Sequence, residues 1–230
     1  MTDLHTHILP GMDDGAQSVE DALAMLQSEA QQGVDTVALT PHFSIKDETI
    51  SEFLVRREKA LQLLCKELEG KTHPKLLMGA EVAWAQGIAE WPELEALCYE
   101  DTKVLLVELP VTPWTHEMFR QLYNLEGRRG IMPMIAHVER YLHCQEKRSI
   151  ERLLGMGYPV QVSAEALLRV FSRRKALELL VGCDALLISD CHDVLHRKPN
   201  MAAALKVMEK KLGYRMAWEL VSLTDDALLV

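Results

Sequence analysis

The sequence predicts an α/β chain in a single domain over residues 1–230, folded as a seven-stranded (β/α)7 barrel of the TIM type. Three observations predict it. Seven short apolar runs alternate with amphipathic stretches of helical period, the pattern of parallel strands joined by right-handed crossovers. No repeat, low-complexity stretch or Pro/Gly/Ser linker interrupts that alternation. Six of the seven runs end in His, Asp or Glu, and the C-terminal strand ends are where such barrels carry their chemistry.

The strand candidates are Thr2–His5, Thr36–Thr40, Lys75–Ala80, Lys103–Leu109, Ile131–Ala136, Pro159–Val162 and Ala185–Ser189. Helices are expected over Val19–Gln32, Thr49–Glu69, Thr115–Arg129, Ser149–Met156, Arg173–Val181 and Ala202–Leu212. The first has a boundary signal at each end. Ser18 with Asp21 three positions on resembles a capping box, and Gly33 is the usual helix terminator.

With 230 residues, 48% of them hydrophobic, the chain is long enough for a sizeable core. A formal net charge of −9 argues against general nucleic-acid binding, since no basic surplus exists to neutralise phosphates. The basic blocks Arg128-Arg129 and Arg173-Arg174-Lys175 read as solvated helix ends. Five scattered cysteines form no C-x-x-C pair, so neither a disulfide framework nor a zinc ribbon is indicated. Apolar runs are short and charge-broken, and the N-terminus lacks a signal-peptide pattern, so the expected location is cytoplasmic with no membrane insertion.

The strand ends carry the functional signal. His5 and His7 follow the first strand, His42 the second and Glu81 the third. Glu108 closes the fourth, His137 follows the fifth, and Asp190-x-His192 follows the last; Asp14 lies in the loop after the first. Singly, each is an ordinary polar residue. Together, four carboxylates at one rim would suffer mutual repulsion and desolvation unless cations compensate them. Three divalent ions against four carboxylates leave a formal charge of about +2, suited to a phosphate dianion. Imidazole and carboxylate without thiolate suit Mn²⁺, Fe²⁺ or Zn²⁺.

These motifs resemble the polymerase-and-histidinol-phosphatase (PHP) superfamily: Asp-Leu-His-Thr-His from Asp3, Thr40-Pro41-His42, Gly79-Ala80-Glu81, Ile135-Ala136-His137 and Ser189-Asp190-Cys191-His192. Ile8 to Gly15 and His137-Val138-Glu139-Arg140-Tyr141 are similar to one branch, the bacterial metal-dependent protein-tyrosine phosphatases encoded with capsule and exopolysaccharide genes. The resemblance runs from residue 1 to about residue 200. It implies a distorted (β/α)7 barrel with two to three divalent metals, manganese first among them. His5, His7, Glu81 and Asp190 would hold the first metal; Glu81, Glu108 and His137 the second; Asp14, His42 and His192 the third. Two positions depart from the branch: Phe43 stands where a second His is common, and Gly15-Ala16 where Gly-Pro is usual.

The reaction so implied is hydrolysis of a phosphomonoester by metal-activated hydroxide, with Arg140 and Arg197 on the phosphoryl oxygens, where a guanidinium fork fits bidentately. The implied substrate is a tyrosine-phosphorylated protein, a bacterial tyrosine autokinase of polysaccharide biosynthesis by analogy with the branch. Three other readings stay open: another PHP phosphoesterase such as a histidinol-phosphate phosphatase, a PHP-type nuclease, and a metal-stabilised binding module. One motif points elsewhere. Cys191 and Arg197 fit the Cys-x5-Arg of cysteine-dependent tyrosine phosphatases, but no glycine lies between them to let backbone N–H groups cradle a phosphate, and a chance match is the better reading.

Overall fold

The computed structural model describes residues 1–228, and within them short strands alternate with helices along the chain. In order these are β1 (Thr2–Thr6), α1 (Val19–Gln31), β2 (Thr36–Leu39), β3 (His42–Phe43), α2 (Ile50–Leu68), β4 (Lys75–Met78), β5 (Glu81–Ala83) and β6 (Val104–Glu108). The second half contains α3 (His116–Arg129), β7 (Met132–Ile135), α4 (Lys147–Leu154), β8 (Gln161–Ser163), α5 (Ala164–Leu168), α6 (Val170–Gly182), β9 (Leu186–Ile188), α7 (Met201–Leu212) and α8 (Tyr214–Asp226). Short 3-10 helices at Ile88–Glu90, Leu94–Leu97 and Val138–His143 complete it.

Each strand pair is parallel, in three sheets ordered β1-β2-β4, β3-β5-β6-β7 and β8-β9. Single parallel bridges join them: Thr6 to Cys191 links the first sheet to the third, and Ile135 to Val160 the second to the third. The second and third expected strands end at Leu39 and Met78, and after breaks at Thr40-Pro41 and Gly79-Ala80 come β3 and β5, short strands beyond the expected runs. Thr40 leaves β2 by exchanging hydrogen bonds with Thr6, its Oγ1 accepting from Thr6 N at 3.1 Å and its N–H donating to Thr6 O at 3.0 Å. Pro41 has no N–H to extend the ladder. Gly79 permits the matching break, because a Cβ there would lie 3.1 Å from both Thr40 Cγ2 and the Tyr99 ring. The chain then resumes with His42 paired opposite Glu81.

The helices pack their apolar faces against the sheets in one large cluster. A second cluster draws Leu4, Ala38, Val104, Leu106, Met134, Leu186 and Ile188 from all three sheets around Tyr99. The Tyr99 hydroxyl donates to Leu4 O at 2.7 Å, and Gln161 Nε2 reaches the same hydroxyl at 3.4 Å. Phe43, the departure noted above, is core: it is 1% exposed and packs edge-on to Phe53 and Trp91.

The expected capping box of Ser18 with Asp21 forms, and a second box that was not expected, Thr49 with Glu52, starts α2. Helix α6 starts three residues before the expected Arg173, so the basic block lies inside it rather than at its end. Arg129 at the end of α3 is not merely solvated; it holds Glu95 bidentately at 2.7 and 2.8 Å. Two helices were not expected. One is α5, a single turn too short to show a period. The other, α8, buries Ala217, Leu220, Val221 and Thr224 at helical spacing beyond Gly213. Among the described residues no helix is long and apolar enough to cross a membrane.

Tyr99→Phe should lower stability by about 1–3 kcal/mol, because Leu4 O then loses its donor in a dry core. Urea unfolding should show a lower midpoint with an unchanged slope. An unchanged midpoint would mean that the hydroxyl contributes nothing to holding β1.

Candidate metal centre

All nine ligand-type residues converge on one place, eight from strands or the residues just after them and Asp14 from the loop between β1 and α1. His5 lies within β1, His7 just beyond it, His42 in β3, Glu81 at the start of β5 and Glu108 at the end of β6. His137 follows β7 by two residues, and Asp190 and His192 follow β9. The five imidazoles are contiguous, with ring centroids 3.8 Å apart for His7 and His192, 4.4 Å for His7 and His42, and 5.3 Å for His5 and His7. Three groups of donor atoms converge within 4.8 Å: His7, Asp14, His42 and His192; His5, His7 and Glu81; and His42, Glu81 and Glu108. His137 Nε2 stands 2.9 Å from Glu81 Oε1 and 3.6 Å from Glu108 Oε1. Asp190 Oδ1 stands 3.7 Å from His5 Nε2 and 3.5 Å from His7 Nε2. His7 and His42 therefore each serve two groups, where the implied scheme gave each of them one.

Neighbouring oxygens orient the rings. His5 Nδ1 donates to Gln161 Oε1 at 2.9 Å, His7 Nδ1 to Asp13 Oδ2 at 2.7 Å, and His192 Nδ1 to the Asp190 carbonyl at 3.1 Å. With Nδ1 protonated in each, Nε2 is left as a lone pair facing the cluster. Asp13 also accepts from His42 N at 2.8 Å and Gly15 N at 2.9 Å, so one carboxylate ties the loop to two ligands. That loop folds back on β1 through Ala16 N to His7 O at 2.9 Å. The approach demands glycine: a Cβ on Gly15 would stand 2.0 Å from His7 O. His137 and Asp190 adopt positive φ, +29° and +54°, a strained backbone that recurs at functional sites. Sequence reading missed Asp13 and Gln161 as orienting residues. Asp13 was masked by its neighbour Asp14, and Gln161 showed only as a lone amide in an apolar run.

The pocket favours positive charge. Burial opposes ionisation of His5, His7 and His42, yet Glu81, with Asp13 at His7 and Asp190 at His5 and His7, draws all three above the ordinary histidine value. Burial likewise opposes ionisation of Glu81 and Asp190, and the imidazoles around them hold both well below the carboxylate range. His192 goes the other way, lowered to about 4 by burial and by His7.

Glu81 Oε2 has His42 Nδ1 at 2.9 Å and His5 Nε2 at 3.2 Å but no well-aligned hydrogen bond, and buried His192 Nε2 has only Asp14 Oδ1 at 3.4 Å. His5 Nε2 and His7 Nε2 face one another at 3.2 Å, close enough for one cation to accept a lone pair from each in place of a proton. Converging imidazole and carboxylate lone pairs, orphaned in a buried pocket, fit divalent cations. The open side is formed by Asp14, His42 and Glu108, whose side chains are 64%, 38% and 33% exposed.

Arg140 and Arg197 meet at one atom. Both guanidinium groups donate to Asp190 Oδ2, Arg197 from 2.9 Å, while Asp190 Oδ1 faces the imidazoles. Cys191 is fully buried, its Sγ beside Glu29 Oε1 at 3.5 Å. Burial, with Glu29 and Asp3 nearby, pushes its thiol well above the usual range, the opposite of an activated nucleophile. The Cys-x5-Arg match is a coincidence of sequence.

Asp13→Ala and Gln161→Leu should each weaken Mn²⁺ binding about 10- to 100-fold by freeing a ligand ring, with the fold retained. Titration calorimetry alongside circular dichroism measures both. Wild-type affinity in both variants would show that the rings need no such support.

Residues 1–229 match the family described as "Capsular polysaccharide synthesis, CpsB/CapC". The chain is 31% identical to tyrosine-protein phosphatase YwqE of Bacillus subtilis, over 100% of this chain and 91% of that protein. It is 30% identical to tyrosine-protein phosphatase CpsB of Streptococcus pneumoniae, over 96% and 94%. A solved structure described under YwqE and CpsB as "unique metal-dependent tyrosine phosphatases" superimposes with a TM-score of 0.80 at 26% identity, over 100% of this chain and 94% of that one. The chain belongs to the CpsB/CapC family of capsular polysaccharide synthesis.

Proposed function

We propose that this chain is a metal-dependent protein-tyrosine phosphatase, hydrolysing phosphotyrosine on a protein substrate. The observation that carries the reading is Asp190, which gives one oxygen to the imidazole cluster and the other to two arginines. That places a phosphate-binding fork against a cation-seeking pocket. The relatives' names select this activity over the histidinol-phosphate alternative.

Nine residues would hold the metals: His5, His7, Asp14, His42, Glu81, Glu108, His137, Asp190 and His192. When bound, divalent cations supply Lewis acidity and a water of lowered pKa. The protein's own residues do the rest. Arg140 and Arg197 bind the phosphoryl oxygens, and Asp190 aligns both forks toward the cluster. Gln161 and Asp13 keep His5 and His7 in the tautomer that presents Nε2. A tyrosine leaving group has a pKa of about 10, so an aryl ester needs less proton donation than a serine ester.

Manganese is the metal we assign, from a donor set of imidazole and carboxylate without thiolate. We read the three linked sheets as one distorted seven-stranded barrel in a single domain, with β2 and β3 forming one strand and β4 and β5 another. The expected partner is a bacterial tyrosine autokinase. The expected compartment is the cytoplasm, where the five free cysteines would stay reduced.

Reconstitution with Mn²⁺ should give two to three metals per chain by elemental analysis, and less than one would overturn the assignment. His5→Ala or Asp190→Ala should nearly abolish turnover, while Cys191→Ser keeps most of it. A dead Cys191→Ser with its full metal complement would instead indicate a thiol nucleophile.

A phosphotyrosine peptide should be hydrolysed well ahead of its phosphoserine twin, and ahead of histidinol phosphate and single-stranded DNA, with all activity lost to chelator. Arg140→Ala and Arg197→Ala should each lower kcat/KM by about 10- to 100-fold with metal content intact. Equal kcat/KM on the two peptides would favour a general phosphoesterase.

A further inference from the structure

Next to the candidate metal centre lies a cavity of about 300 Å³ that shares Arg140 and Arg197 with the proposed phosphate clamp and extends beyond it. Arg140 and Arg197 form its inner wall; His143, Glu165, Arg169 and Ser172 line it further out. Because the two arginines also meet on Asp190, the cavity is continuous with the place where a phosphoryl group would sit. We propose that this cavity recognises an acidic side chain one or two residues from the phosphotyrosine, with Arg169 as the residue that reads it. The proposal rests on the phosphotyrosine reading and adds a sequence preference to it.

Charge is the first argument. Three guanidinium groups line the space, and since Arg140 and Arg197 are engaged by Asp190, Arg169 is the one set only against an outward carboxylate, that of Glu165. The other acid there, Glu139, is 7% exposed, with Oε1 accepting from Ser163 Oγ at 2.6 Å. It is turned into the protein.

The state of Arg169 is the second. Its Nε and Nη2 both donate to a single oxygen, Glu165 Oε1, at 3.0 and 2.6 Å. That leaves Nη1 unused, and the side chain is 71% exposed. An exposed pair one helical turn apart is held only weakly, because solvent screens it. An incoming carboxylate can therefore take the open part of the fork without a large loss.

The third is the rim. Between the lining residues Arg169 and Ser172 stand Val170 and Phe171, 74% and 98% exposed, and Leu195 just before Arg197 is 74% exposed. Large apolar side chains on both approaches suit coverage by polypeptide rather than by a small metabolite. Size sets the reach: a cavity roughly 7 Å across accepts about two residues of extended chain.

The test uses phosphotyrosine peptides that differ only in carrying Asp or Lys at the two positions on either side, with Mn²⁺-loaded protein at low salt. The readout is the ratio of kcat/KM for the Asp peptide to that for the Lys peptide. Wild type should favour Asp by about tenfold, mainly through KM, with the ratio shrinking as salt rises. Arg169→Ala should cut the ratio about fivefold, the loss of roughly 1 kcal/mol of charge pairing. Glu165→Gln, which frees the guanidinium, should raise it about two- to threefold. A wild-type ratio near one, or a ratio that Arg169→Ala leaves unchanged, overturns the subsite. A small aryl phosphate run alongside separates the two readings. If neither it nor the peptides are hydrolysed, the phosphatase reading itself fails.

Discussion

Glu81 is the residue on which the rest of the centre depends. Its carboxylate is fully buried, yet it lies within 3.4 Å of four imidazoles, those of His5, His7, His42 and His137. An ionised carboxylate in a dry interior is costly unless positive charge or donors surround it. The surrounding rings do not all supply donors as neutral imidazoles, since His5 and His7 have committed Nδ1–H to Gln161 and Asp13, which leaves His42 and His137 to face Glu81 at 2.9 Å. Divalent cations would resolve that conflict, and the breaks at Thr40-Pro41 and Gly79-Ala80 position the residues concerned. They let His42 and Glu81 stand opposite one another on newly started strands.

Asp190 extends the same electrostatics outward. Its two oxygens face different partners, imidazoles on one side and guanidinium groups on the other. Replacing it would remove a ligand and the anchor of both arginines together. The left-handed backbone at Asp190 is the geometric cost of that double role. On this account a metal centre, a phosphate clamp and a peptide-reading cavity form one continuous surface, ordered from buried to exposed. Its innermost candidate ligands are buried and its outermost arginine is exposed, which suits fixed chemistry beside an adaptable substrate chain.

Several features were legible before any coordinates. Helix boundaries at Ser18 and Thr49 are local, because capping boxes are made by residues three apart. The nine candidate ligands were legible because strand ends can be located from apolar runs, and parallel strands all send those ends to one rim. What failed was equally physical. Helix α8 follows Gly213 with only a narrow buried stripe, and α5 is shorter than the period that would reveal it.

Sequence by itself determined which atoms could bind metal and phosphate, since residue type sets donor chemistry and alternation sets which residues share a rim. It could not determine the partners those atoms chose. That Gln161 orients His5, that Arg140 reaches Asp190, and that Cys191 lies inert against Glu29 are long-range outcomes, whereas Asp13 to His7 and Arg197 to Asp190 span only six and seven residues. His5 and Gln161 are 156 residues apart in the chain, and Cys191 and Glu29 are 162 apart. Contacts of that separation depend on how the strands pair and where they break. Only the packed structure supplies those positions, because no local preference encodes a distance across the sheet.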